Sequence, residues 1–251
     1  MSYELQIAAA HGGLTLTLDR PAKGNALSEA LVEALHAALD RALAEAVSHI
    51  VLRGSGRHFC TGFDLGDLDE AGDALLLHRF VRLELLLSRL WSAPFPTIVV
   101  AHGRCVGAGA DLVAACARRL IVDDASFRFP GSAFGIVLGT RRLAHSIGAD
   151  PARRLVTTGT TLSAETACSV GLGTDRATAA GVDDALDDIR RDETKLDLTT
   201  WNALRERTHG ETGGEDSDLA ALVRSAARPG LSQRMRAYRD AARGPVTETV
   251  R

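Results

Sequence analysis

Apolar positions follow two rhythms along the chain. Residues 5–10 and 14–18 are short, leucine-bearing stretches that predict two strands joined at His11-Gly12-Gly13, a hairpin. Arg20-Pro21 ends the second. From Ser28 the rhythm lengthens to a stripe of Leu31, Leu35, Leu39 and Leu43, which predicts a Ser28-capped helix running to about Val47 with that stripe against the core. Ile50–Leu52 predicts a strand, and a leucine-rich run from about Asp69 to Trp91 a second long helix, stopped by Pro94-Phe95-Pro96. Thr97–Val100 is β-branched and predicts a buried strand. A small-residue turn with Gly103, Gly107 and Gly109 follows, then an alanine-rich apolar segment predicting a buried helix.

Downstream, Arg119–Val122 predicts another strand, and Phe127–Ser132 a bent, exposed segment at the sheet's end. Short helices are expected over 141–147, 151–157 and 183–191, and one capped by Ser163. From about Lys195 the chain turns polar. Three amphipathic helices are expected at 201–207, 219–227 and 231–242, with a surface loop at 210–216. Strands alternating with helices indicate an α/β core over 1–194, followed by a C-terminal helical region over 195–251.

Composition narrows the function classes. The 29 basic and 32 acidic residues leave a net charge of -3, so nothing draws the chain toward nucleic acid. No apolar run approaches a membrane span, and residues 1–10 lack the basic-then-apolar order of a signal peptide. Cys60, Cys105, Cys116 and Cys168 have neither metal-ligand nor redox spacing. Free thiols and a cytoplasmic location are the expectation.

The stretch Thr97–Cys116 carries the candidate chemistry. A glycine-rich turn from strand to helix leaves backbone N–H groups free at the positive end of a helix dipole, a place for a standing or developing negative charge. Asp111 lies three residues past Ala108, on roughly the same helical face, and reads as an acid/base group. A nicotinamide-binding reading of Gly107–Leu112 fails at Leu112, where a third glycine or alanine belongs, and Gly54-Ser55-Gly56-Arg57 lacks the lysine of a phosphate-binding loop.

Four stretches in order resemble the crotonase superfamily of enoyl-CoA hydratases and isomerases. They are Leu18-Asp19-Arg20-Pro21 with Asn25-Ala26-Leu27; Leu52-Arg53-Gly54 through Phe59–Leu65; His102-Gly103 through Gly107–Leu112; and Thr158-Gly159 through Leu162–Ala167. The resemblance implies a fold of ββα spiral turns, with C-terminal helices that build a homotrimer or a dimer of trimers. It implies an acyl-CoA thioester as substrate, with coenzyme A part of that substrate and no other cofactor. By position, the N–H groups of Phe63 and Ala108 would hold the thioester oxygen as an enolate forms, with Asp111 the catalytic carboxylate. Lys23, Ala26, Phe63, Asp64, Leu65 and Gly66 would line the coenzyme A path, together with Ala108 and Gly131.

Two departures matter. The family's second catalytic glutamate maps to Gly131, and its glycine-rich segment is contracted to Leu138-Gly139-Thr140. Water addition needs both a base and an acid, whereas one shuttling carboxylate suffices for a double-bond shift. Hydratase, isomerase, thioester hydrolase, decarboxylase and non-catalytic acyl-CoA binder all stay open at this level. Ser132 and Asp64 are expected to order turns rather than to react.

Overall fold

A computed structural model describes residues 4–209 and 214–243. The antiparallel hairpin β1 (Leu5–Ala10) and β2 (Gly13–Leu18) opens the chain, and α1 (Glu29–Ala44) follows. Ser28 caps α1 through its hydroxyl, which accepts from the Leu31 N–H. Next come β3 (Ile50–Gly54), α2 (Asp73–Trp91), β4 (Thr97–Ala101), β5 (Arg104–Val106), α3 (Ala108–Ala115), β6 (Arg118–Val122) and β7 (Ser126–Arg128). Then follow α4 (Thr140–Ile147), α5 (Ala149–Thr158), β8 (Leu162–Ser163), α6 (Ala164–Ser169), β9 (Asp175–Ala177) and α7 (Val182–Glu193). The last helices are α8 (Leu198–Thr208), α9 (Gly214–Ala226) and α10 (Leu231–Arg243).

Two sheets organise these elements. The larger has the order β1-β2-β3-β4-β6-β9 and is parallel from β2 onward; the smaller has the order β5-β7-β8. The chain crosses from one sheet to the other between β4 and β5. That crossing delivers α3 to the middle of the molecule, where all eight of its residues are buried. Its alanine and glycine content allows this, because small side chains admit close packing from every side.

Several expectations need correction. Leu43 does not complete the α1 stripe: it is 49% exposed, while Val32, Ala38 and Ala42 are buried. A spacing of four residues drifts around a helix of 3.6 residues per turn. The stretch between β4 and α3 is more than a turn, since Arg104–Val106 forms β5. Phe127 and Phe129 are buried rather than exposed, because β5 and β8 flank β7. Three-residue strands are too short to show alternation; long-range pairing makes them. The expected loop at 210–216 falls partly outside the described residues, and Gly214–Asp216 belong to α9.

The C-terminal helices pack back on their own chain. Leu222, Ala226, Leu231 and Met235 join the same apolar cluster as α2 and α3. The start of α10 is pinned to the start of α2, where the Asp73 carboxylate accepts the N–H groups of Gly230, Leu231 and Ser232. These bonds lower the Asp73 pKa to about 2. By contrast α8 has no buried residue, and Leu204 on it is 53% exposed. Among the described residues no helix is long and apolar enough to cross a membrane.

Candidate active site

The segment 59–64 runs between two neighbours. On one side Cys60 bridges Cys105 of β5, with the Cys60 N–H on the Arg104 carbonyl and the Val106 N–H on the Cys60 carbonyl. On the other side Leu27 bridges Phe63: the Leu27 N–H bonds the Gly62 carbonyl, and the Asp64 N–H bonds the Leu27 carbonyl. In a parallel bridge the residue facing such a pair turns its own N–H the opposite way. The Phe63 amide therefore points away from Leu27. No described hydrogen bond uses it.

Glycines let the two bends approach. A Cβ on Gly62, whose φ is +99°, would lie 2.5 Å from the Val106 carbonyl oxygen, and that same position is 3.5 Å from the Ala108 nitrogen. A Cβ on Gly109 would sit 2.2 Å from the Cys60 carbonyl oxygen. A side chain at either position would force the strands apart. The N–H groups of Ala110 and Asp111 bond the Gly107 carbonyl, and the Gly107 N–H bonds that of Arg128. The Ala108 amide, first of α3, is in no described hydrogen bond. Two uncommitted amides thus stand beside one cavity, one of them at a helix N-terminus.

That cavity measures about 230 Å³ and includes Phe63, Ala108, Asp111, Gly131 and Leu65 in its wall. Phe80 of α2, Phe129, Phe134, Ile136 and Leu138 make it apolar, and α10 adds Met235 and Tyr238. Those two residues lie far along the chain and carry no motif, so sequence reasoning missed them. The Phe63 ring stacks on Phe80 at 4.4 Å, with the Arg79 guanidinium 4.3 Å from its centre. The ring is fixed and narrows the cavity. Asp111 is the only carboxylate in the wall among the described residues, and Arg104 is the only strong cation.

The other expected coenzyme A residues lie away from the wall. Lys23 is exposed in a turn, and Ala26 is buried beside it. The following Gly24 abuts Thr61 of the wall, and its carbonyl accepts the Thr61 N–H. Asp64 orders its loop, accepting from the exposed Gly66 N–H at 2.9 Å and from Arg20 at 2.8 Å. Buried Asn25 ties the same turn to the Ser55 and His58 carbonyls. Ser132 donates to the Val156 carbonyl, a turn hydroxyl. A Cβ on Gly131 would meet only the Ile136 carbonyl closely, at 3.3 Å, so a side chain there finds room after a small shift.

Asp111 is 5% exposed, and burial pushes its carboxyl well above the usual carboxylate range. Glu84 of α2 pushes the same way, and Arg142 of α4 opposes. Gly139, the residue before α4, is pressed against this carboxyl: a Cβ there would lie 2.2 Å from Asp111 Oδ1, and its φ is +65°. Glycine is the residue that fits. The four cysteines are free and, with Cys60, Cys105 and Cys116 buried, none reaches the wall. Among the described residues no group of three His, Cys, Asp or Glu could hold a metal.

Comparison with known proteins shows the family. Residues 9–191 match the family described as enoyl-CoA hydratase/isomerase. The chain belongs to that family. A probable enoyl-CoA hydratase of Mycobacterium leprae is 35% identical over 173 residues, covering 66% of this chain and 68% of the relative. The 2,3-dehydroadipyl-CoA hydratase of Escherichia coli is 33% identical over 176 residues, covering 68% of each. A Bordetella parapertussis structure named for the same hydratase/isomerase family superposes with a TM-score of 0.90 at 42% identity, over 94% of this chain and 98% of that one. The fold of this enoyl-CoA hydratase/isomerase family member is therefore the crotonase fold, as the four stretches implied.

Proposed function

We propose that this chain processes an acyl-CoA thioester through an enolate, with a double-bond shift as its most direct reaction. The carrying observation is a pair of amides, Phe63 and Ala108, that no described hydrogen bond uses, beside a cavity whose wall holds a single carboxyl among the described residues. Asp111 as carboxylate takes a proton from the acyl chain. The C–H electron pair moves into the new enolate, and the negative charge grows on the thioester oxygen. The two N–H groups stabilise that oxygen, each by about 3–4 kcal/mol on the scale of such donors. Asp111 then returns the proton at the other end of the unsaturated system. A raised proton affinity suits this task, because a carboxylate that holds a proton more strongly is the better base.

Hydration fits the site less well. It needs a second group to hold or activate water, and Gly131 offers no side chain. The apolar wall of Phe80, Phe129, Phe134 and Ile136 also favours excluding water. In this reading Lys23, exposed and next to the Gly24–Thr61 contact, meets a coenzyme A phosphate. The homotrimer or dimer of trimers belongs to this reading too, supported by α8, which buries none of its residues and exposes Leu204.

Exchange of the substrate's acidic protons in heavy water tests the chemistry. Wild type should exchange them, and Asp111→Asn should lose at least about 10²-fold of that rate, the scale of one acid/base group, while binding the thioester within a few fold. Thioester binding with no exchange by wild type would make the protein a binder only. Gly131→Glu should raise hydration of a short enoyl-CoA above the wild-type level; no gain would show that the contracted 138–140 segment has closed the water's place. Light scattering should give a mass of three or six chains, and a monomer contradicts the assembly.

A further inference from the structure

Behind Asp111 lies a buried set of charges that the proposed reaction does not use. Arg142 of α4 is wholly buried, and Glu84 of α2 is 1% exposed. They meet at 2.6 Å, from Arg142 Nη2 to Glu84 Oε1. The same Nη2 lies 3.4 Å from Asp218 of α9, which pairs with Arg141 at 2.9 Å. Glu84 Oε2 and Arg142 Nε and Nη1 are buried without a hydrogen-bond partner among the described residues. None of the four side chains reaches the cavity wall. Glu84 stands as a lone acid in the run Leu83-Glu84-Leu85-Leu86-Leu87.

Burying an ion pair is costly, and a packed apolar pair of the same volume is often as stable or more so. Its retention beside a carboxyl that faces the cavity therefore calls for another account. Alone, the charge of a buried Arg142, whose Nε and Nη1 meet no partner among the described residues, would favour the ionised Asp111. Such a field holds a carboxylate ionised and makes it a poor base. Glu84 already occupies Nη2, and its negative charge cancels the guanidinium field. Among the described residues Arg104 is the cation in the cavity wall itself.

We propose that Glu84, locked on Arg142, is a positioning residue: it neutralises that guanidinium so that Asp111 stays unpaired and turned to the cavity as the base. The charge balance agrees. Glu84 and Asp218 match the two guanidiniums of Arg141 and Arg142, so the cluster sets no net positive charge behind Asp111. The raised affinities of Asp111 and Glu84, both set first by burial, fit this arrangement.

This inference rests on Asp111 being the reacting base, so its test reads the free protein as well as turnover. Carboxyl carbon NMR over a pH series, with Asp111→Asn identifying the Asp111 signal, gives the titration of that residue directly. Wild type should titrate above the ordinary aspartate range. Glu84→Gln should lower the midpoint by at least about one pH unit, a tenfold loss of proton affinity, and the rising limb of the proton-exchange rate should shift with it. Should Glu84→Gln fail to fold, Asp218→Asn at the rim of the cluster should move the midpoint in the same direction by a smaller amount. A midpoint unmoved in a folded variant overturns the role of Glu84, even if exchange is intact. A moved midpoint with no exchange in wild type upholds the charge balance and overturns only the proposed reaction.

Discussion

The whole site depends on how closely two backbone segments can lie. Residues 59–64 and 104–109 touch through main-chain atoms because Gly62 and Gly109 present no Cβ at the contact. The Cys60–Cys105 bridge fixes the register on one flank, and the Leu27–Phe63 bridge fixes the orientation of the Phe63 peptide on the other. Neither amide needs a special side chain. What matters is that both peptides are held by neighbours that use the adjacent hydrogen-bonding groups and leave these two free. The surrounding sheets, including β5 and β7, serve largely to hold this approach.

A second constraint is electrostatic. An ionisable group in an apolar cavity favours its neutral form, which is the source of the high proton affinity of Asp111. Burial favours the protonated carboxyl, and a bare guanidinium beside it would favour the ionised one. Glu84 behind it pushes in the same direction as burial, and Arg142 opposes. Gly139 has no Cβ, and a side chain there would strike this carboxyl. Backbone shape and charge thus act on the same atoms.

Much of this was legible in the chain itself. The strand Thr97–Ala101, the glycine turn and the apolar helix behind it follow from local composition, and Asp111 stands out as the only acid in that helix. The order of four short stretches indicated the family. What sequence could not offer came from distance along the chain. Met235 and Tyr238 reach the cavity because Asp73 anchors the start of α10 to α2. Phe127 and Phe129 are buried by strands too short to leave a pattern. Glu84 did leave a trace, a single charge inside a leucine run, but its partner lies on another helix.

The account stands or falls on what the thioester oxygen meets. Infrared spectroscopy of an acyl-CoA isotopically labelled at the thioester carbonyl reads this most directly. Two N–H donors at that oxygen weaken the double bond, so the carbonyl band of the bound thioester should move to lower wavenumber than in free solution. A bound thioester whose band keeps its free-solution position would show that the Phe63 and Ala108 amides do not grip it.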